Sequence, residues 1–351
     1  MNSRERAEKA MKREIPDRVP VVPLIDTSYA AACLKVSVSA CFLDPALHAR
    51  ALVRVLERHP KIDGLSINIG LTSKVIREIT SGENERLLTT LDGSQWHVST
   101  NDTGIPTRHE INSFDDQRLY SVDVLRPHIV DTLRSMPEDI LRGYDISVGV
   151  TGPFSQVVFM VGIEMVLLAM YEQPAALKAA IEARMPLSLS WLEEIAALGA
   201  PSIWIGEGLA SGSLISPRQY AEFVLPYEQR LTQRLRELKV PSVLHVCGET
   251  NKILEAVAES GADCFEADWQ VDLGEAKTRI GCQMSLKGNL HTTDLIQLPA
   301  KAIYEQSCVA IEKAKAGGGF ILSSGCAVGR DTPAENVDAM VQASMDYGSY
   351  Q

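Results

Sequence analysis

The chain has 351 residues, a formal net charge of −11 and 45% hydrophobic residues. The acidic balance argues against a nucleic-acid binder, which needs a basic face to neutralise phosphates, and no apolar run reaches the length of a membrane span. Seven scattered cysteines, an odd number in a chain that opens without a signal-peptide apolar region, point to a reduced cytoplasm and to free thiols or metal ligands rather than a disulfide framework.

The charged start predicts a first helix, capped by Ser3 and stopped by Pro16. Val19–Ile25 reads as a first strand despite its prolines, with Asp26 at its end. Residues 44 to 60 carry helical periodicity, and a second strand follows at Leu65–Ile69, ending near Asn68. Leu87–Val98 looks like a hairpin turning at Asp92-Gly93, inside a polar, weakly periodic stretch that holds His97 and His109. From Ile146 the rhythm is regular, with strands starting near 146, 202, 242, 264, 283 and 320 and helical sequence between most of them. Ser216–Gln219 and Thr332–Glu335 read as capping boxes for two of the helices.

Eight strands alternating with helices imply a parallel sheet. Residues 1–351 are therefore expected to form a single α/β domain, a (β/α)8 TIM barrel with an N-terminal helical extension and an inserted, hairpin-containing segment at about 80–140. An open doubly wound sheet is the competing architecture, and it would normally show a Gly-rich phosphate fingerprint after an early strand.

In such a barrel the chemistry sits at the C-terminal ends of the strands. His245 and Cys247 lie two apart on one strand, so they point to the same side. Cys326 follows another apolar run at Phe320–Ser323. Together they make a three-ligand set with one open position, the pattern of a catalytic zinc. Asp268, at a neighbouring strand end, is the expected exchangeable fourth ligand, ahead of Glu266. A thiol arriving at the open position loses its proton to the metal and becomes the nucleophilic thiolate. Glu207, between two glycines after a strand, is a candidate catalytic residue, whereas Gln156, Asn289 and His291 are candidate cofactor-binding residues lining the mouth. Cys33, Cys41, Cys264, Cys282 and Cys308 are assigned structural roles, and Trp204 a place in the core.

The sequence resembles the uroporphyrinogen decarboxylase superfamily, and within it the cobalamin-dependent methyltransferases typified by methylcobamide:coenzyme M methyltransferase. The resemblance rests on Arg13–Pro20, Val150–Phe154, Leu209–Pro217, Pro226-Tyr227, Gly288–Leu290 and Thr332–Asn336. The decarboxylases resemble one another in an Arg-Gln-Ala-Gly-Arg segment after the first strand, where this chain reads Leu24-Ile-Asp-Thr-Ser-Tyr-Ala30. The methyltransferases carry His-x-Cys and a distant Cys as zinc ligands, matched here at His245, Cys247 and Cys326. The resemblance implies a (β/α)8 barrel and methyl transfer between a corrinoid, carried as methylcobalamin by a partner protein, and a small thiol or another acceptor or donor. The alternatives are a porphyrinogen decarboxylase, a demethylase of methoxylated or methylated compounds, and a non-enzymatic scaffold for a corrinoid protein.

Overall fold

The computed structural model describes residues 1–67, 76–81, 85–90, 95–99, 105–109, 111–120 and 128–350. In chain order the strands are β1 (Gly64–Ile67), β2 (Ile76–Ser81), β3 (Glu85–Thr90), β4 (Gln95–Ser99), β5 (Ile105–Arg108), β6 (Asp145–Thr151), β7 (Ser202–Gly206), β8 (Ser242–Val246), β9 (Cys264–Ala267), β10 (Ser285–Leu290) and β11 (Phe320–Ser324). β1 and β6 to β11 form one parallel sheet in the order β1-β6-β7-β8-β9-β10-β11. These seven strands begin within two residues of the positions expected from the sequence. β2 to β5 form a separate antiparallel sheet in sequential order. β3 and β4 pair in it, while the Asp92-Gly93 turn and Asn68 lie outside the described residues.

The expected first strand is not one. Val19–Ile25 is extended, but it makes only an isolated bridge, Val21 to Leu322. The reason is local, because Pro20 and Pro23 have no N–H to give to a ladder. The segment nevertheless bonds both edges of the sheet. On the β11 side Leu322 N donates to Pro20 O and Val22 N to Leu322 O, each at 2.9 Å; on the β1 side Asp63 N donates to Val21 O at 2.7 Å and Ser66 N to Ile25 O at 3.3 Å. The sheet therefore curls until its two edges share one strap.

A buried ionic cluster holds the strap. The Asp63 side chain is fully buried and accepts from Arg6 Nη1 at 2.6 Å, Arg18 Nη1 at 2.9 Å and Val21 N at 2.8 Å. Asp17 takes the rest of the Arg6 guanidinium, at 2.6 Å. Arg6 belongs to the first helix, Ser3–Met11, whose Ala7, Ala10 and Met11 pack with Trp204, Val243, Cys264 and Ile321 inside the curl. The N-terminal helix thus fills the interior next to the early residues of the strands, and the Asp17-Arg18 pair locks it to the strap.

Two helix starts differ from expectation. Asn2, not Ser3, caps the first helix, because only from position 2 does Glu5 fall three residues on to complete the capping box. The box expected at Thr332 does not form: the last helix, Ala334–Tyr347, has extended Pro333 at its cap and no side-chain cap bond. The box at Ser216 and Gln219 is present.

Replacing Asp63 with Ala takes the carboxylate from Arg18 and leaves Arg6 with Asp17 alone. Uncompensated buried charge of this kind costs about 3 kcal/mol or more. The Asp63→Ala chain is expected to melt well below the parent in thermal denaturation; an unchanged melting temperature would remove the cluster from the account of sheet closure.

Candidate metal centre

β8, β9 and β10 lie side by side, and their registers place His245 opposite Glu266 and Glu266 opposite Lys287. Residues in register on adjacent parallel strands point to the same face, here the interior of the curl. One step towards the C-terminal ends stand Cys247, Asp268 and Asn289. Cys326 follows β11 by two residues. Its approach depends on Gly325, where a Cβ would stand 2.4 Å from Trp269 N. Gly248, just after Cys247, has φ +80°, a left-handed turn that L side chains disfavour.

The ligand atoms of His245, Cys247 and Cys326 all lie within 4.8 Å of one another, the one such group of three metal-binding side chains among the described residues. His245 Nε2 is 2.9 Å from Cys247 Sγ, and the two sulfurs are 3.8 Å apart. Sulfurs bound tetrahedrally to zinc at about 2.3 Å stand about 3.8 Å from each other, and a nitrogen and a sulfur about 3.5 Å; the sulfur pair has that spacing, whereas Nε2 and Cys247 Sγ are at hydrogen-bond distance and must part slightly to share an ion. His245 Nδ1 lies 3.0 Å from the backbone oxygen of Glu266, which can only accept. The proton therefore belongs on Nδ1, which leaves Nε2, turned to the sulfurs, as the nitrogen that could hold a metal. His245 is buried, whereas both cysteines are partly exposed. The set is closed from below and open towards the mouth.

Without a metal the three groups share protons. Burial pushes the imidazole down, but the Cys326 sulfur and the Glu266 carboxylate outweigh it and raise His245 to about 9. The Cys326 thiol is lowered, first by its hydrogen bond with Cys247 and then by His245, while that same bond, with burial, raises Cys247. His245, Cys247 and Cys326 could hold a divalent cation, which would take the place of these protons in a sulfur-rich donor set.

The remaining predicted residues are placed as follows. Asp268 is buried, accepts from Gln270 N at 3.2 Å, and adds its negative charge to the field that raises Cys247. Its carboxylate stands outside the group of three. Asn289 donates to Asp268 O at 3.0 Å and Val271 O at 2.7 Å, and so holds the turn that carries Asp268. Gln156 gives its amide N–H groups to Thr151 O and Ser188 Oγ, each at 2.8 Å. His291 is half-buried, lies 3.2 Å from Asp294 and packs on Trp269 with ring centroids 4.2 Å apart. Asp26 caps the helix Thr27–Leu34 by accepting from Ser28 N at 2.9 Å.

Glu207 is fully buried and accepts from Phe154 N at 3.2 Å and Ser155 N at 2.9 Å. It thereby caps the helix Pro153–Val161, whose own cap is Gly152. Glu228 lies close enough to be influenced by its charge, and accepts from Tyr220 Oη at 2.7 Å. Burial raises Glu207 to about 7; burial and then the Glu207 charge raise Glu228 to about 8.

Three residues complete the site from behind: Glu266, which the sequence offered as the lesser candidate for fourth ligand, Lys287, which it left unassigned, and Trp204, which it placed in the core. Glu266 Oε2 accepts from Trp204 Nε1 at 2.5 Å and stands 3.5 Å from His245 Nδ1, while Oε1 pairs with Lys287 Nζ at 2.8 Å. Trp204 stacks on the His245 ring at 5.3 Å. Strand alternation puts Glu266 and Lys287 on the inward face, the signal that could have found them, but their pairing needs the register between strands.

The family model described as "Uroporphyrinogen decarboxylase (URO-D)" matches residues 88–347. The chain belongs to the uroporphyrinogen decarboxylase family. It is 33% identical over 193 residues to the methylated-thiol–coenzyme M methyltransferase of Methanosarcina mazei, covering 55% of this chain and 51% of that one. It is 25% identical over 223 residues to the methylcobamide:CoM methyltransferase MtaA of Methanosarcina barkeri, covering 63% and 64%. Relatives named uroporphyrinogen decarboxylase match over similar lengths. The chain thus spans about half to two thirds of the length of the curated relatives it matches. A solved methyltransferase from Methanosarcina mazei has the same fold, with a TM-score of 0.83 over 99% of both chains at 21% identity.

Two measurements follow. Purified protein dialysed against a mild chelator is expected to retain about one zinc per chain by plasma emission, and Cys247→Ser to retain much less; equal zinc in both would remove Cys247 from the ligand set. Glu207 and Glu228 hold their protons more tightly folded than unfolded, where they titrate near 4.5. The stability this contributes is complete below that value and is lost as pH rises through about 7 to 8. Glu228→Gln should therefore flatten the fall in melting temperature between pH about 5 and about 8; an unchanged slope would contradict a raised Glu228.

Proposed function

We propose that this protein is a zinc-dependent methyltransferase that moves a methyl group between a corrinoid carried by a partner protein and a small thiol, or another small methyl acceptor or donor. The observation that carries the reading is the convergence of two cysteine sulfurs and one imidazole nitrogen at the mouth of the curled sheet. The names of the relatives in Methanosarcina mazei and Methanosarcina barkeri support it. We read the fold as a (β/α)8 barrel, with Val19–Ile25 in the place of the eighth strand and β2 to β5 as an insertion at one end. The odd number of scattered cysteines suits a cytoplasmic setting.

His245, Cys247 and Cys326 would hold the zinc. Once bound, it supplies a Lewis acid that keeps a coordinating thiol in the thiolate form at neutral pH. Two cysteine thiolates balance its formal charge, so a further anion can exchange at the open position without a large Coulomb penalty. We assign Asp268 as the carboxylate that fills that position before substrate arrives, although its side chain lies outside the group of three, and Asn289 fixes the turn that carries it. The half-exposed sulfur side gives a substrate access from the mouth, and the buried imidazole excludes water from below. His291 and Trp269 border the same mouth. Gln156, on the helix Pro153–Val161, and Glu207, which caps that helix from the end of β7, we assign to shaping it rather than to contact with the reacting atoms.

The family name favours a second reading, a porphyrinogen decarboxylase. Against it stands the Leu24–Ala30 stretch, which offers no arginine to a carboxylate-rich tetrapyrrole and whose Asp26 is spent on a helix cap.

Cys326→Ser is expected to lower methyl transfer from methylcobalamin to a small thiol by about 100-fold or more, with the melting temperature retained. Normal turnover in that variant, or coproporphyrinogen formed from uroporphyrinogen by the parent protein, would sink the methyltransferase reading.

A further inference from the structure

We infer that Glu266, clamped between Lys287 and Trp204, is the positioning residue that sets the His245 imidazole for metal binding; the inference rests on the metal-centre reading above. Four side chains from four adjacent strands meet here: Trp204 of β7, His245 of β8, Glu266 of β9 and Lys287 of β10. None is more than 7% exposed, and Glu266 is fully buried. They lie beneath the sulfurs, on the side of the imidazole turned away from the mouth, so Glu266 and Lys287 act through His245 rather than on a substrate.

Each contact restricts the imidazole in a different way. Glu266 accepts the Nδ1–H through its backbone oxygen at 3.0 Å and sets the negative charge of its Oε2 3.5 Å from the same nitrogen. That fixes the tautomer and leaves the Nε2 lone pair for a metal. The stacked indole of Trp204, tilted 24° from the imidazole plane, blocks rotation about χ2. The carboxylate is held by the hydrogen bond from Trp204 Nε1 to Oε2 at 2.5 Å, and the Lys287 ammonium, 2.8 Å from Oε1, attracts it by charge without hydrogen-bond geometry.

Energetics favour a positioning role over a stabilising one. A buried Lys–carboxylate pair is weak support for stability, since desolvating both charges consumes most of their attraction. An apolar pair of similar size would fill the interior as well. A carboxylate behind a ligating imidazole does something an apolar residue cannot, because it orients the ring and raises its basicity towards the metal.

The test uses the full chain, with zinc itself as the probe. Zinc affinity is measured by competition with a chromophoric chelator for the parent, Glu266→Gln, Glu266→Ala and the double variant Glu266→Gln/Lys287→Met, which leaves no unpaired charge. The 15N shifts of the His245 ring are recorded in each. The expected result is a loss of affinity of about 10- to 100-fold in Glu266→Ala, a smaller loss in Glu266→Gln, which keeps an acceptor, and movement of the His245 Nδ1 resonance in both. If a single variant fails to fold, the double variant carries the same expectation. Parent-like affinity and parent-like 15N shifts in the folded variants, with only the melting temperature lowered, would overturn the inference. A parent protein that binds no zinc would instead overturn the metal-centre reading on which it rests.

Discussion

The register of neighbouring parallel strands is the constraint on which the site depends. His245 faces inward because β8 pairs with β9 at Glu266, and Cys247 follows it two residues on. A slip of one residue would turn the imidazole and the thiol outward together, since side chains alternate along a strand. β10 pairs with β11 from Leu286 to Leu290, and so carries Cys326 to the same end. Residues 79 apart in sequence are thereby brought to a sulfur–sulfur distance of 3.8 Å without any bond between them.

That register needs a sheet with no free edge. The strap Val19–Ile25 supplies the missing partner to β1 and β11, although its prolines deny it a regular ladder. Its hold comes instead from Asp63, whose carboxylate gathers Arg6, Arg18 and Val21 N. The N-terminal helix is thus part of the closure, and charged residues at the far end of the sheet support chemistry at the mouth. Inside, the polarity changes along the strands: apolar Val243 and Ile321 pack on the first helix, and the charged Glu266 and Lys287 lie beneath the sulfurs.

Much of this was legible in the sequence because the underlying signals are local. Short apolar runs separated by helical periodicity revealed seven strands, and His-x-Cys on a strand declared its own geometry through the two-residue period. Cys326 was legible because a thiol after a strand end has chemistry to declare. The strap was misread because extended conformation and ladder pairing look alike until proline is asked for its N–H. Glu266 and Lys287 were underrated for a different reason: each looks like an isolated charge until strand pairing puts them opposite each other. Gln156 and Asn289 spend their amide donors on Thr151, Ser188, Asp268 and Val271, a commitment that no spacing rule foretells.

The central claim is a metal centre of two sulfurs and one nitrogen with a position left for a substrate sulfur. X-ray absorption at the zinc edge tests it most directly, on protein as purified and again after adding 2-mercaptoethanesulfonate. The expected result is two sulfur scatterers at about 2.3 Å with lighter ligands at about 2.0 Å, rising to three sulfurs with the thiol. A zinc shell without sulfur, or a sulfur count that no thiol changes, would contradict it.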